Sequence, residues 1–176
     1  MDRNNNPIWE LYNSYRTTKL NVKYYSNRIS VYENLNIAFE IVIAITAPGG
    51  AISALWFWDT NWGTILWKLL LAIASIASLI KPFLNLTNKI KITQECLSEY
   101  KMLEFDFREL INDVIANKKY DTIMRNKYKE THKRVRELIS KDSESKPKKK
   151  LIRKFVEEVN KELESFNFYV PEADNG

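Results

Sequence analysis

The stretch FEIVIAITAPGGAISALWFWDTNWGTILWKLLLAIASIASLIKPFLNL, residues 39–86, decides how the chain folds. A helix that spans a bilayer needs about 20 mainly apolar residues, and residues 36–58 and 62–84 each reach that length. The polar triplet at residues 59–61 separates them. A core helix of a soluble protein keeps a polar face, and neither segment has one wide enough to be wetted. The stretch therefore predicts a transmembrane hairpin rather than a buried soluble core.

Aromatic and basic residues around the hairpin predict its orientation. Four tryptophans cluster at the tip, where an interfacial belt is expected: Trp56, Trp58, Trp62 and Trp67. Basic residues flank the other end of both spans, and the tip loop has none: Arg16, Lys19, Lys23 and Arg28 precede the hairpin, and Lys81, Lys89 and Lys91 follow it. Because loops rich in Lys and Arg stay on the cytoplasmic side, we predict that both termini are cytoplasmic and that membrane lipid surrounds the spans.

Small and polar residues inside the hairpin favour either close helix packing or a pore. The APGG sequence at residues 47–50 predicts a kink where a gate could hinge. Glu40 and Lys81 lie at similar depths on the two spans, where they could pair as a brace or provide charge at a pore mouth. Two helices cannot enclose a water path, so a pore requires a homo-oligomer. The candidate pore or gate residues are Glu40, Thr46, Pro48, Gly49, Gly50, Ser53, Ser78 and Lys81.

The rest of the chain predicts an all-α protein in four segments. Residues 1–35 form an amphipathic cytoplasmic helix that starts with Asn6 as N-cap, 36–86 the hairpin, 87–170 a cytoplasmic helical ligand-sensing region, and 171–176 a tail. Nothing polar stops the second span, so residues 64–117 predict one helix of about 80 Å. A turn at residues 116–121 and two further helices, 121–140 and 151–166, complete the cytoplasmic bundle.

Residues 118–154 hold fifteen Lys or Arg against five Asp or Glu, although the whole chain has a net charge of only +5. Three interpretations of this basic patch remain open. It can be a solvated helix face, it can attract the anionic cytoplasmic leaflet, or it can bind a nucleotide or single-stranded nucleic acid whose bases stack on Tyr120 or Tyr128. The candidate ligand-binding residues are Lys118, Lys119, Arg125, Lys127, Tyr128, Lys129, Lys133, Arg134 and Arg136.

Catalytic and metal-binding patterns are missing from the sequence. His132 is the only histidine and Cys96 the only cysteine, so neither a metal cluster nor a disulfide framework can be built from them. No Gly-rich phosphate loop, nucleophile elbow or paired-carboxylate motif occurs. We therefore predict that the protein is not an enzyme, needs no cofactor and binds no metal, with His132 on the surface and a ligand contact as the lesser alternative.

This arrangement resembles the SLATT-type two-transmembrane effectors of bacterial nucleotide-linked anti-phage systems. The resemblance covers residues 9–166 and rests on YNSYR and YYSNRISVYENLNIAFEIVIA, on the tight hairpin, and on LNLTNKIKITQECLSEYKMLEFDFRELI. It implies an inner-membrane pore that kills or arrests the infected cell under the control of a nucleotide made by a partner nucleotidyltransferase. In the related Hailong-type systems, a DNA oligomer holds such an effector inactive.

Two other functions remain open from the sequence. One is a non-conducting membrane anchor or scaffold that recruits a protein through its helices. The other is a membrane toxin controlled by a protein antitoxin. The sequence also does not decide whether the ligand opens the pore or closes it.

Overall fold

The structure, a computed structural model, describes residues 6–46, 60–141, 148–164 and 168–171. These residues contain five helices and no strand, which confirms the all-α prediction. The helices are α1 (Ile8–Thr46), α2 (Asn61–Leu84), α3 (Leu86–Asn117), α4 (Thr122–Lys141) and α5 (Lys149–Glu162). They group into two compact units, one from residues 1–27 and 94–176 and the other from residues 28–93, so that α1 and α3 contribute to both.

Short polar side chains fix where three of the helices begin. Asn6 Oδ1 accepts a hydrogen bond from the Ile8 amide at 3.1 Å, which confirms the predicted N-cap of α1. Thr60 caps α2 through the Gly63 amide at 3.1 Å. Asp121 Oδ1 accepts from the amide of Met124 at 2.9 Å and so begins α4. Each bond satisfies an amide that has no partner within its own helix.

The first unit is a helical bundle with an aromatic core. The apolar residues of α3 that recur at helical spacing are buried from Tyr100 onward, and Tyr25 of α1 stacks on Tyr100 with ring centroids 5.3 Å apart. The fully buried side chains of this core include Tyr12, Leu11, Leu103, Phe107 and Val114. Burying large aromatic rings removes much apolar surface from water, and this stabilises the bundle.

Two details of the predicted bundle are wrong. The apolar residues of the predicted helix 121–140, which include Ile123 and Ile139, favour its packing against α3, but these two side chains are 66% and 57% exposed. They lie off the face that carries the buried residues of α4, Met124, Thr131 and Leu138. The last helix ends at Glu162 rather than continuing to residue 166, and its buried contacts come from Phe155 and Val159.

Residues 168–171 pack against the beginning of α1 and accept hydrogen bonds from it. The rings of Phe168 and Tyr12 stack with centroids 4.1 Å apart and planes within 4° of parallel. Tyr12 also donates a hydrogen bond to the backbone oxygen of Tyr169 at 2.7 Å, and Asn6 Nδ2 donates to that of Pro171 at 3.0 Å. Burial raises the pKa of Tyr12 to about 12, so its hydroxyl stays protonated and can donate.

The second unit contains a helix with its apolar side chains turned outward. On α2 the buried residues are Gly63, Ala74 and Ala77, whereas large apolar side chains are exposed, Phe83 at 88% and Trp62 at 80%. Of the described helices, α2 alone is long and apolar enough, by length and composition, to cross a membrane. The first predicted span, residues 36–58, lies outside the described residues after Thr46.

The prediction of one continuous helix over residues 64–117 is wrong. Asn85 adopts a left-handed conformation, with φ 47° and ψ 45°, and separates α2 from α3. Asn tolerates this conformation better than other residues with a side chain do. Pro82 precedes the break and cannot donate a backbone hydrogen bond, which already weakens the last turn of α2.

Candidate functional site: a cationic cleft in the first unit

A cleft of about 620 Å³ lies between the beginning of α1 and one face of α4. This volume falls in the range of small-molecule sites, which is roughly 300–1,000 Å³. Nine residues from three parts of the chain line it: Pro7, Glu10, Tyr120, Arg125, Tyr128, Lys129, His132, Lys133 and Arg136. We call this feature the cationic cleft, since four of its nine residues are Lys or Arg and only one is acidic.

The four cations form a stripe along α4. Arg125, Lys129, Lys133 and Arg136 follow one another at steps of four, four and three residues. With a rise of 1.5 Å per residue, these steps are about 6, 6 and 4.5 Å, and they keep the four side chains on one face of the helix. A ladder of positive charge with this spacing suits a ligand that carries several phosphates in a row.

Two tyrosines give the cleft aromatic surface beside the cations. Tyr128 is oriented by its hydroxyl, which lies 3.1 Å from the Ser14 hydroxyl of α1, and by contact with Phe107, 6.2 Å between centroids. Tyr120 lies under the guanidinium of Arg125, 5.8 Å from the ring centroid. Burial raises the pKa of Tyr120 to about 12, so this ring stays neutral. Neutral, partly buried rings are surfaces on which nucleobases stack.

His132 and Glu10 add polar groups of a different kind. His132 packs beside Tyr128, with centroids 5.5 Å apart, and its Nδ1 is buried without a hydrogen-bond partner. Buried polar atoms are usually satisfied, so this nitrogen marks a place where a further partner would be stabilising. Glu10 is exposed at the cleft and supplies a carboxylate that can accept hydrogen bonds from a base edge.

Of the nine residues predicted to bind ligand, five line the cleft: Arg125, Tyr128, Lys129, Lys133 and Arg136. The other four do not. Lys127 forms an ion pair with Asp113 at 3.2 Å, and Arg134 forms one with Asp106. Lys118 and Lys119 lie in the turn after α3, where Lys118 has φ 54°.

Helical spacing separates these two groups. Lys127 and Arg134 lie about half a turn of helix away from the stripe, as 100° per residue requires, so they face α3 instead. A helical wheel of α4 would have found this difference from the sequence. Pro7 and Glu10 could not have been found, because more than a hundred residues separate them from α4 and only the fold brings them to the cleft.

The predicted pore residues are only partly described. Pro48, Gly49, Gly50 and Ser53 lie outside the described residues, and Thr46 is described only as the last residue of α1. Glu40 and Lys81 form the predicted cross-hairpin pair, with Lys81 Nζ 3.4 Å from Glu40 Oε1. Ser78 and Lys81 both line a second cavity of about 340 Å³ near Asn85.

Comparison with known proteins adds no relative to this description. No family model matches the sequence, and neither the curated proteins nor the solved structures contain a match. The site therefore has to be interpreted from its own geometry.

Proposed function

We propose that the protein is a membrane pore-forming effector gated by a nucleotide or short single-stranded DNA ligand bound in the cationic cleft. The observation that carries the proposal is the meeting of four cations and two tyrosines in one cleft. In this proposal the protein acts by gating rather than by catalysis. A partner nucleotidyltransferase supplies the ligand, and the resemblance to SLATT-type effectors supports a role in anti-phage defence.

The charge ladder favours a linear ligand with several phosphates. The stripe from Arg125 to Arg136 covers eleven helical steps, about 16 Å along the helix axis. A mononucleotide would contact only part of it, whereas a short oligonucleotide can place successive phosphates on successive cations. Its bases would then lie against Tyr120 and Tyr128, and base stacking on aromatic rings contributes roughly 1–3 kcal/mol per base.

Exposed apolar surface on α2 supports a location in the bacterial inner membrane. Phe83, Leu79 and Ile65 are each more than half exposed, although water would penalise such exposure along a whole helix. Lipid removes this penalty. We propose that residues 36–58 form the first span of a hairpin whose second span is α2 and that both termini are cytoplasmic, as the distribution of Lys and Arg indicates.

The pore requires several copies of the chain, since one hairpin cannot surround a water path. In the proposed homo-oligomer, small residues allow close packing of α2, where Ala74 and Ala77 are already buried. Ser78 and the Glu40–Lys81 pair supply polar groups where the hairpin meets the cytoplasm. Gating consists of coupling between ligand binding in the first unit and the arrangement of these spans.

Bilayer conductance of the purified protein tests the proposal. We expect single-channel currents that short DNA oligomers or cyclic nucleotides switch on or off. A variant with Arg125→Glu and Lys129→Glu should insert normally but lose this control. The matched control reverses Lys127 and Arg134, which lie on the same helix outside the cleft. Equal loss of control in both double variants would show that the cleft is not the receptor.

A second candidate is the non-conducting scaffold, which exposed apolar residues of the first unit favour. Phe105 is 63% exposed and Met102 lies one turn away on the same face of α3. Such a pair can anchor a protein partner, including a protein antitoxin. A silent bilayer under all ligand conditions, together with loss of a co-purifying partner in Phe105→Ser, would favour this alternative.

A further inference from the structure

The second unit contains a polar cavity that includes Ser78 and Lys81 and is large enough to hold a ligand of its own. It measures about 340 Å³ and lies at the break between α2 and α3. Five of its eight residues are polar, and they come from α1, from α2, from the junction residue Asn85 and from α3: Asn36, Ser78, Lys81, Asn85 and Thr87. This volume lies near the lower limit of ligand sites, so it suits a headgroup-sized molecule rather than an oligonucleotide.

We propose that this cavity binds a phosphodiester that also carries a hydrogen-bond donor, as the phosphoethanolamine and phosphoglycerol headgroups of lipids do. The inference rests on the proposed membrane location. On α2 and α3 the lining residues run from Ser78 to Thr87 and so include the region around Phe83 where the exposed apolar surface of α2 ends, and this is the level at which headgroups meet a spanning helix. Basic pockets between spanning helices on the cytoplasmic side bind lipid headgroups elsewhere.

Donors for the phosphate converge on this cavity. The ammonium of Lys81 provides the positive charge, and its side chain is about one-third exposed. Its existing partner, the carboxylate of Glu40, lies at 3.4 Å, longer than the 2.7–2.9 Å or so of a strong charge-assisted bond, so a phosphate can compete for it. Thr87 supplies a hydroxyl, and the amides of Leu86 and Thr87 have no acceptor within α3, whereas the Lys89 amide already donates to the Asn85 oxygen.

An acceptor in the same cavity selects headgroups with a donor. Asn36 Nδ2 donates to Glu40 Oε1 at 2.8 Å, which fixes the orientation of the amide because a carboxylate only accepts. Asn36 Oδ1 is then left buried without a hydrogen-bond partner. An ammonium of phosphoethanolamine or a hydroxyl of phosphoglycerol would satisfy it. The trimethylammonium of phosphocholine has no N–H or O–H and would not.

Native mass spectrometry of the full chain, released from nanodiscs of defined lipid, tests the inference. We expect phosphatidylethanolamine and phosphatidylglycerol to be retained over phosphatidylcholine. Lys81→Gln should weaken retention roughly tenfold or more, since hydrogen bonds to charged groups carry this much binding energy. Lys68→Gln is the matched control, because Lys68 is an exposed lysine of the same helix outside the cavity. Lys81→Arg should keep most of the retention.

Further results distinguish a lipid headgroup from free phosphate, and a failure of this inference from a failure of the proposed membrane function. Displacement of lipid by inorganic phosphate at millimolar concentration would identify a free phosphate rather than a headgroup as the natural occupant. Asn36→Leu should narrow the preference for phosphatidylethanolamine over phosphatidylcholine if the buried oxygen selects the donor. Equal retention of all three lipids, or equal loss in Lys81→Gln and Lys68→Gln, would overturn the inference. Failure of the protein to enter nanodiscs would instead overturn the proposed membrane function.

Discussion

Replacing Lys129 by glutamine removes one of the four cations that line the cationic cleft while keeping a side chain of similar length. If the ligand is single-stranded DNA, each phosphate neutralised by a cation releases counterions, and the logarithm of affinity falls with the logarithm of salt concentration. The slope is about −0.7 per neutralised phosphate. Four contacts therefore predict a slope near −2.8, whereas three predict a slope near −2.1.

This difference is large enough to measure. Between 50 and 200 mM salt, the affinity of the unaltered protein should fall roughly fiftyfold, and that of Lys129→Gln only roughly twentyfold. The assay is fluorescence anisotropy of a 5′-labelled oligonucleotide of about six nucleotides, titrated with purified protein at four salt concentrations. Binding at the lowest salt should also be weaker in the variant, because one charge-assisted contact is lost.

The matched control is Lys127→Gln, two residues away on the same helix. Lys127 is paired with Asp113 at 3.2 Å and does not line the cleft, so its loss should leave the slope unchanged. A purely long-range effect of net charge would change both variants equally. Equal slopes in Lys129→Gln and Lys127→Gln would therefore refute the assignment of phosphates to this stripe.

Three other predictions concern contacts outside the cleft. Glu40→Lys and Lys81→Glu should each impair conductance, and the double exchange should restore conductance if the 3.4 Å pair is a brace. Bilayer recordings of the three variants therefore distinguish a brace from charge at a pore mouth. Phe168→Ala removes the ring stacked on α1 and should lower the free energy of unfolding by about 1–3 kcal/mol. Denaturant titrations measure this change, and an unchanged midpoint would mean that residues 168–171 are not docked on α1. Hydrogen bonds from Lys23, then Lys19, lower the pKa of Glu162, so its contribution to stability is present above its unfolded pKa and is lost as the pH falls through its lowered folded pKa. Because its side chain is 42% exposed, Glu162→Gln should lower stability by under about 1 kcal/mol at pH 7, and a difference that does not shrink as the pH is lowered would contradict the assignment.

Local sequence patterns predicted most of the helices well. Apolar periodicity located α3 and α4, and the polar residues at the turn located the boundary between them to within a residue or two. Asn6 and Pro7 predicted the start of α1 because capping depends on residues adjacent in the chain. The break at Asn85 was missed, since a left-handed residue in an otherwise helical sequence leaves no periodic pattern and Asn also occurs within helices.

The candidate site, too, was determined partly by local sequence and partly by tertiary structure. The sequence by itself determined that α4 carries a surplus of positive charge, that its spacing places four cations on one face, and that α2 has no polar face wide enough to be wetted. Only the tertiary structure decided which of these charges face a cleft, because Asp113 and Asp106 of α3 pair with Lys127 and Arg134. It also decided that Glu10 meets His132 at one surface. Helical periodicity is a property of neighbouring residues, whereas these contacts join segments distant in the chain, and only packing of the whole core selects them.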